Sequence, residues 1–235
     1  MQSPLKIGNI MGIPIKLDTS LLLALPISAY FSAINSQPFG FAEVEPPIVK
    51  YALSALSAIF LFTSVLLHEL AHSYFAKRYG VSIDSITLLL FGGVASMEIP
   101  KRPGQEVKIA FAGPLTSLII GSICLFTYSF IISPNPALSQ NSVYLIIWVI
   151  GSMNLVLGVF NLLPAFPMDG GRMLRSLFAM KMSYVKATHN AASIGKLVAI
   201  LMVIYGIYIS DLWLPLVALY IYGGASNEDR STQNW

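Results

Sequence analysis

The sequence predicts an all-α polytopic membrane protein with about six transmembrane helices and a small membrane-associated β ribbon. Hydrophobic residues make up 55% of the 235 residues and charged residues 11%, whereas a soluble domain carries about 25% charged residues. Several apolar stretches are long enough to cross a bilayer as helices. Another stretch alternates polar and apolar residues around a glycine pair, which is typical of short strands.

The predicted elements follow these stretches along the chain. Residues 1–16 contain short apolar runs broken by glycine and proline, which favour a strand or hairpin at the membrane surface. The predicted transmembrane helices are residues 17–35, 48–79, 106–133, 142–163, 187–210 and 212–222. Together with a β ribbon at residues 81–103, they form a single transmembrane core, residues 1–224. Residues 225–235 are predicted to form a polar, mobile cytoplasmic tail.

The β ribbon consists of two strands that meet at Gly92-Gly93. Because open strand edges cannot face lipid, the ribbon must be buried in protein or line an aqueous cavity. An exposed strand edge there could accept an extended peptide as an added strand. The alternative is a plain surface hairpin.

The lysines and arginines predict the orientation in the cell membrane. The connections after the second and fourth helices contain most of them: Lys77, Arg78, Lys101, Arg102, Lys108, Arg172, Arg175, Lys181 and Lys186. The alternate connections contain only Lys50. The positive-inside rule therefore places both termini and the opening of the site on the cytoplasmic side. The net charge of +3 is too small and dispersed to indicate a nucleic-acid partner.

His68, Glu69 and His72 form the pattern H-E-x-x-H within an apolar predicted helix. The two histidines lie one helical turn apart, so both imidazoles can reach one metal ion. Glu69 lies beside them, where a carboxylate can take a proton from water. The alternative is that the three side chains satisfy one another in a core. Their position argues against it, because ionisable groups within hydrophobic spans are costly and usually functional.

A third metal ligand is needed, since catalytic zinc usually has three protein ligands and an open position. Among the aspartates, Asp169 is the best placed. It follows a proline-rich turn that ends a helix, and it precedes Gly170-Gly171, which allow close backbone approach. The alternative is an aspartate that only caps the next helix. Cys124 is the single cysteine, which excludes an intrachain disulfide and a multi-cysteine zinc site.

The sequence HELAH, followed by NLLPAFPMDGGR, resembles the site-2 protease family of intramembrane zinc metalloproteases, and the likeness extends from Ile7 to Gly224. The resemblance implies one Zn²⁺ per chain, bound by His68, His72 and Asp169, with Glu69 activating water. It also implies that the protein cleaves a peptide bond in or near the transmembrane helix of a single-span membrane protein within the lipid bilayer.

Other positions also match this family. Asn161 precedes the L-L-P stretch, and it is a candidate donor to the developing oxyanion or to the substrate backbone. The alternative is a hydrogen bond that holds the fourth helix to the second. Gly92-Gly93 and Gly113-Pro114 also match. Ser117 departs from the pattern, because many members have asparagine there.

Two other functions are compatible with these residues. A metal-ion or proton-coupled transporter could use the same groups as an ion relay, but transporters often show internal repeats, and none is visible in the sequence. A catalytically inactive relative could bind membrane proteins, but the retention of Glu69 argues against it. His189 is predicted to be a solvated histidine and not a metal ligand.

Overall fold

The computed structural model describes residues 4–90, 92–98, 100 and 102–233. The chain forms two compact units, one of residues 1–98 and 115–158 and the other of residues 99–114 and 159–235. The predicted fold class is confirmed in its main features, because the described chain is mostly helical and contains one small sheet.

The first unit contains a four-stranded sheet in the order β1-β2-β3-β4. The strands are Leu5–Ile10 (β1), Ile13–Leu17 (β2), Ile83–Leu89 (β3) and Gly92–Met97 (β4). Strand β2 pairs antiparallel with β1 and parallel with β3, and β3 pairs antiparallel with β4. The predicted hairpin and ribbon therefore both form, and they join in one sheet that has β1 and β4 at its edges.

The helices of the first unit pack on this sheet and on each other. They are Leu21–Ile34 (α1), Pro47–Arg78 (α2), much of Pro103–Thr127 (α3), Pro136–Ser139 (α4) and most of Leu145–Asn161 (α5). Helix α3 continues into a π-helical segment, Tyr128–Ile132. One core cluster joins Leu21 of α1, Phe62 and Val65 of α2 and Leu88 of β3. This cluster holds the middle of α2 against the sheet.

The second unit contains the start of α3 and three further helices, Asp169–Ala179 (α6), Tyr184–Tyr208 (α7) and Trp213–Gln233 (α8). Arg175 of α6 is buried and pairs with Glu106 and Glu228. Its guanidinium also lies over the rings of Phe166 and Tyr184, at 5.2 and 4.9 Å from their centroids. Burial opposes the charged form, but the charge and hydrogen bond of Glu106 together with the charges of Tyr184 and Glu228 outweigh that effect, and the pKa of Arg175 is raised.

Four described helices are long and apolar enough to cross a membrane: Pro47–Arg78, Gly104–Ile132, Ser142–Asn161 and Tyr184–Tyr208. The prediction of about six spans is therefore not confirmed. The first predicted span corresponds to α1, which has only 14 residues. The sixth corresponds to the apolar half of α8, which by itself is shorter than a span.

Residues 225–233, which the sequence predicts as a polar and mobile tail, are helical, because α8 continues through Gln233. Two contacts of Asp229 hold this helical segment in place. Its carboxylate accepts hydrogen bonds from His189 Nδ1 at 3.1 Å and from Lys196 Nζ at 3.2 Å, which tie the polar end of α8 to α7. The side chain of His189 is 56% exposed, in agreement with a solvated histidine. Residues 1–3, Phe91, Ile99, Lys101 and residues 234–235, which also belong to predicted segments, lie outside the described residues.

Candidate metal centre

Helix α2 places His68, Glu69 and His72 together, as the sequence pattern predicts. Both histidines are buried, with 3% and 2% of their surfaces exposed. Their ring centroids are 4.8 Å apart. One possible ligand atom from each of the three side chains lies within 4.8 Å of the others. This group of nitrogen and carboxylate donors fits a single metal ion.

Ser117 of α3 is hydrogen-bonded to His68, with 2.9 Å between its Oγ and His68 Nδ1. Its side chain is fully buried. When Nε2 of such a ring binds a metal, Nδ1 carries the proton and donates it to an acceptor, which fixes the tautomer and the ring plane. Ser117 is therefore in the position of such an acceptor. The sequence marked this residue only as a departure from the family pattern and did not predict the contact.

Glu69 faces strand β4. Its Oε2 accepts a hydrogen bond from the backbone N–H of Ala95 at 3.2 Å. The adjoining Gly93 is so close that a Cβ there would lie 2.6 Å from Glu69 Cγ and 3.1 Å from Val65 Cγ1. Only glycine permits this approach without a shift of the strand or the carboxylate. The predicted ribbon is therefore not a plain surface hairpin, because its outer strand contacts the glutamate of the motif.

Asn154 of α5 is a polar residue that the sequence analysis missed. It is fully buried, and its Nδ2 donates to Ser64 Oγ at 3.0 Å and to the carbonyl of Ile150 at 2.9 Å. Ser64 lies one helical turn before His68, so this contact fixes α5 against α2 next to the metal group. An asparagine within an apolar span is the signal that could have identified it.

Asp169 is the first residue of α6, in the second unit, and is 7% exposed. Met168 is at the N-cap, so Asp169 occupies the first position within the helix, where the helix dipole favours a carboxylate. A Cβ on Gly170 would lie 2.2 Å from the carbonyl oxygen of Leu163, and one on Gly171 would lie 2.7 Å from the carbonyl carbon of Ala165. The two glycines therefore let the proline-rich turn fold back on the start of the helix.

Asn161 is the last residue of α5, partly buried, and it also belongs to the second unit. The structure thus brings together His68, Glu69 and His72 in the first unit, with Ser117 beside them. The roles of Asp169 and Asn161 stay predictions.

Comparison with known proteins gives a consistent result. The chain matches the profile of a family described as Peptidase family M50 over residues 56–134 and 129–204, which include all five predicted site residues. It is 42% identical over 231 residues to a zinc metalloprotease of Methanocaldococcus jannaschii, covering 98% of this chain and 62% of that protein. It is 27% identical over 191 residues to stage IV sporulation protein FB of Bacillus subtilis, covering 80% of this chain and 62% of that protein.

A solved structure is also similar. The site-2 protease from Methanocaldococcus jannaschii aligns with a TM-score of 0.65 and 40% sequence identity, covering 97% of this chain and 95% of that one. The chain spans about three fifths of the length of the curated relatives it matches, at 62% for both proteins compared above.

Replacing Ser117 with alanine is expected to weaken metal binding. Loss of the hydroxyl leaves the Nδ1–H of His68 without its acceptor, and loss of such a partner typically costs about 10–100-fold in metal affinity. The measurement is competition for the metal against a chromogenic chelator. Ser122→Ala, at an exposed position of the same helix, is the matched control. Equal affinities for the two variants would show that Ser117 does not orient the ring.

Proposed function

The chain belongs to Peptidase family M50, and from this premise we propose that it is a zinc-dependent intramembrane endopeptidase. It would hydrolyse a peptide bond in or near the transmembrane helix of a membrane protein. The observation that carries the proposal is the group of His68, Glu69 and His72 on α2, because that helix is long and apolar enough to cross a membrane. Few functions require a metal site at such a place.

We assign the zinc ligands to His68, His72 and Asp169, with one ion per chain. The buried imidazoles and the Ser117 hydroxyl support the histidines, because a neutral, oriented ring is what zinc requires. Asp169 is supported by its burial and by the glycines that fix its turn. When bound, zinc supplies Lewis acidity that polarises a carbonyl and lowers the pKa of water toward about 7.

Glu69 acts as the general base in this scheme. Its carboxylate takes one proton from the attacking water as the oxygen bonds to the carbonyl carbon of the scissile peptide. It then gives that proton to the nitrogen as the C–N bond breaks, which yields an amine and a carboxylic acid. The acid then passes its proton to the amine, so that the products leave as a carboxylate and an ammonium. The hydrogen bond from Ala95 fixes one oxygen of Glu69 and so orients the other. Asn161 would donate to the developing oxyanion or to the substrate backbone.

The substrate has to be extended at the cleaved bond, because a helix buries its amides in hydrogen bonds to residues four positions away. Strand β4 is an edge of the sheet, so those of its outer N–H and C=O groups that Glu69 does not engage could pair with a substrate strand. Because β4 is bonded to Glu69, a peptide paired with it would lie beside the general base. A single-span membrane protein, unwound locally, is the partner that fits.

The proposed orientation in the cell membrane follows the basic residues. With the connection after α2 on the cytoplasmic side, both termini and the opening of the site face the cytoplasm. Helix α1 and the apolar half of α8 would complete about six membrane-embedded helices. The polar end of α8, which Asp229 holds on α7, would then lie in the cytoplasmic interface.

Glu69→Gln is expected to abolish cleavage and to leave zinc binding in place, because glutamine cannot accept the proton from water. The measurement compares zinc content and cleavage of a transmembrane substrate for purified variants in detergent. Glu43→Gln, in the connection before α2, controls for loss of a carboxylate elsewhere. A wild-type protein that binds zinc but cleaves none of several transmembrane substrates would favour a transporter or an inactive relative.

Asp169→Asn is expected to weaken zinc binding by more than about tenfold, the loss seen even when an outer partner of a ligand is removed. Asp84→Asn, at an exposed position of β3, is the matched control. Zinc affinity is measured by chelator competition, without any substrate. If Asp169→Asn binds zinc as tightly as the control, the third ligand is another residue, and this result would leave the role of Glu69 unaffected.

Gly93→Ala is expected to lower cleavage by about a hundredfold, since a displacement of about 1 Å in a catalytic group can have that effect. The new Cβ meets Glu69 Cγ at 2.6 Å, so the strand or the base has to move. Zinc content should not change, because the three atoms nearest to the added Cβ belong to Glu69 and Val65 and not to a histidine. Gly8→Ala, which has no atom within 4 Å of the added Cβ, should cleave as the wild type does.

A further inference from the structure

A cavity of about 460 Å³ lies between the N-terminal hairpin and the end of α2. Its walls are Met11 of the hairpin turn and Tyr74, Lys77 and Arg78 of the last turns of α2. Tyr74, Lys77 and Arg78 are all exposed. Among the described residues, no carboxylate forms an ion pair with either Lys77 or Arg78. The cavity therefore combines two uncompensated positive charges with an aromatic ring and a thioether.

The hairpin turn is held against α2 at this cavity. Met11 and Gly12 both have positive φ, 52° and 74°, which is the backbone of a tight two-residue hairpin turn. Lys77 Nζ donates a hydrogen bond to the carbonyl oxygen of Met11. A Cβ on Gly12 would lie 3.6 Å from the same ammonium group. The turn and the basic end of the helix thus form one wall, although they are distant in sequence.

Strand β1 presents apolar side chains beside the cavity. Every residue of β1 is exposed, and Leu5, Ile7 and Ile10 expose 69%, 54% and 40% of their surfaces. In water, an apolar edge strand of this kind is an aggregation hazard. In hydrocarbon, its unpaired backbone groups would be unsatisfied. The layer between water and hydrocarbon satisfies both requirements, because it hydrates the strand edge and covers the apolar side chains.

We propose that the hairpin β1–β2 and the end of α2 form a binding site for the headgroup of an anionic phospholipid. The phosphate would lie between Lys77 and Arg78, and the acyl chains would cover Leu5 and Ile7. Charge complementarity selects this occupant, because basic residues directly at the end of a membrane-crossing helix attract anionic lipids. Tyr74 lies one turn deeper, at the level where aromatic rings meet the headgroups. This site is separate from the metal centre and does not depend on proteolysis.

Bound lipid would stabilise more than the hairpin. Strand β2 pairs with β3, and β3 pairs with β4, whose Ala95 donates to Glu69. A lipid that fixes β1–β2 therefore fixes the first strands of the sheet that supports the general base. The effect is expected in the folding stability of the whole protein, where it can be measured without a substrate.

The test titrates the full chain in neutral detergent micelles with phosphatidylglycerol and follows the melting temperature. Phosphatidylglycerol is expected to raise it, whereas phosphatidylcholine and inorganic phosphate are not. Arg78→Gln should need about fivefold more phosphatidylglycerol for the same shift, the factor for one cation at an anionic surface. Arg78→Lys should behave as the wild type. Lys50→Gln, at the opposite end of the same helix, is the matched control and should also respond as the wild type.

Three results would overturn the proposal. Equal responses of Arg78→Gln and Lys50→Gln would show that the lipid acts through the general surface charge. An equal effect of inorganic phosphate would identify a site for free anions and not for lipid. A dimer in micelles that Ile7→Asn converts to a monomer, with no response to phosphatidylglycerol, would show that a second copy of the chain covers β1.

Discussion

His68, Glu69 and His72 are ionisable groups inside an otherwise apolar helix, where a polar group that lacks a partner costs free energy. The first unit supplies partners to the polar groups on this face of α2 from three different elements. Ser117 of α3 bonds to His68, and the N–H of Ala95 in β4 bonds to Glu69. Asn154 of α5 bonds to Ser64, one turn before the motif. These hydrogen bonds to the polar face of α2 therefore hold α3, β4 and α5 next to that helix.

Close approach of the backbone to neighbouring atoms is the second requirement, and glycine residues meet it within each of the two units. In the first unit, Gly93 allows β4 to lie against Glu69. In the second unit, Gly170 and Gly171 allow the chain before Pro167 to lie directly against the start of α6. A larger residue at any of these three positions would overlap backbone or the side chain of Glu69. The three glycines therefore act by permitting a close approach of the backbone, which no residue with a side chain would allow without a shift.

The parts of the fold that sequence could predict are those with a local signal. The spacing of His68 and His72 predicted their shared helix face, and the alternation after Val81 predicted the ribbon. The contact of Ser117 with His68 could not be predicted, because α3 is apolar on nearly all sides and its hydropathy does not reveal which side faces α2. The predicted last helix ends at residue 222 because the residues that follow are polar. The helix instead continues through Gln233, and Asp229 pairs there with His189 and Lys196 of α7. The Ser117 contact and the length of α8 both depend on partners that are distant in sequence, which a local pattern does not reveal.

The two edge strands of the sheet, β1 and β4, differ in their exposure and in what they contact. Strand β4 lies against α2 at Glu69, where its partly buried residues Gly93 and Ala95 approach the motif. Strand β1 is exposed along its whole length and carries apolar side chains. An edge that receives a peptide has to remain unpaired, yet an unpaired edge is also where unrelated strands add. The proposed lipid site would hold the apolar edge in the headgroup layer, next to Lys77 and Arg78, and so keep it from pairing with other chains. Strand β4 would then be the edge that is left for the proposed substrate strand.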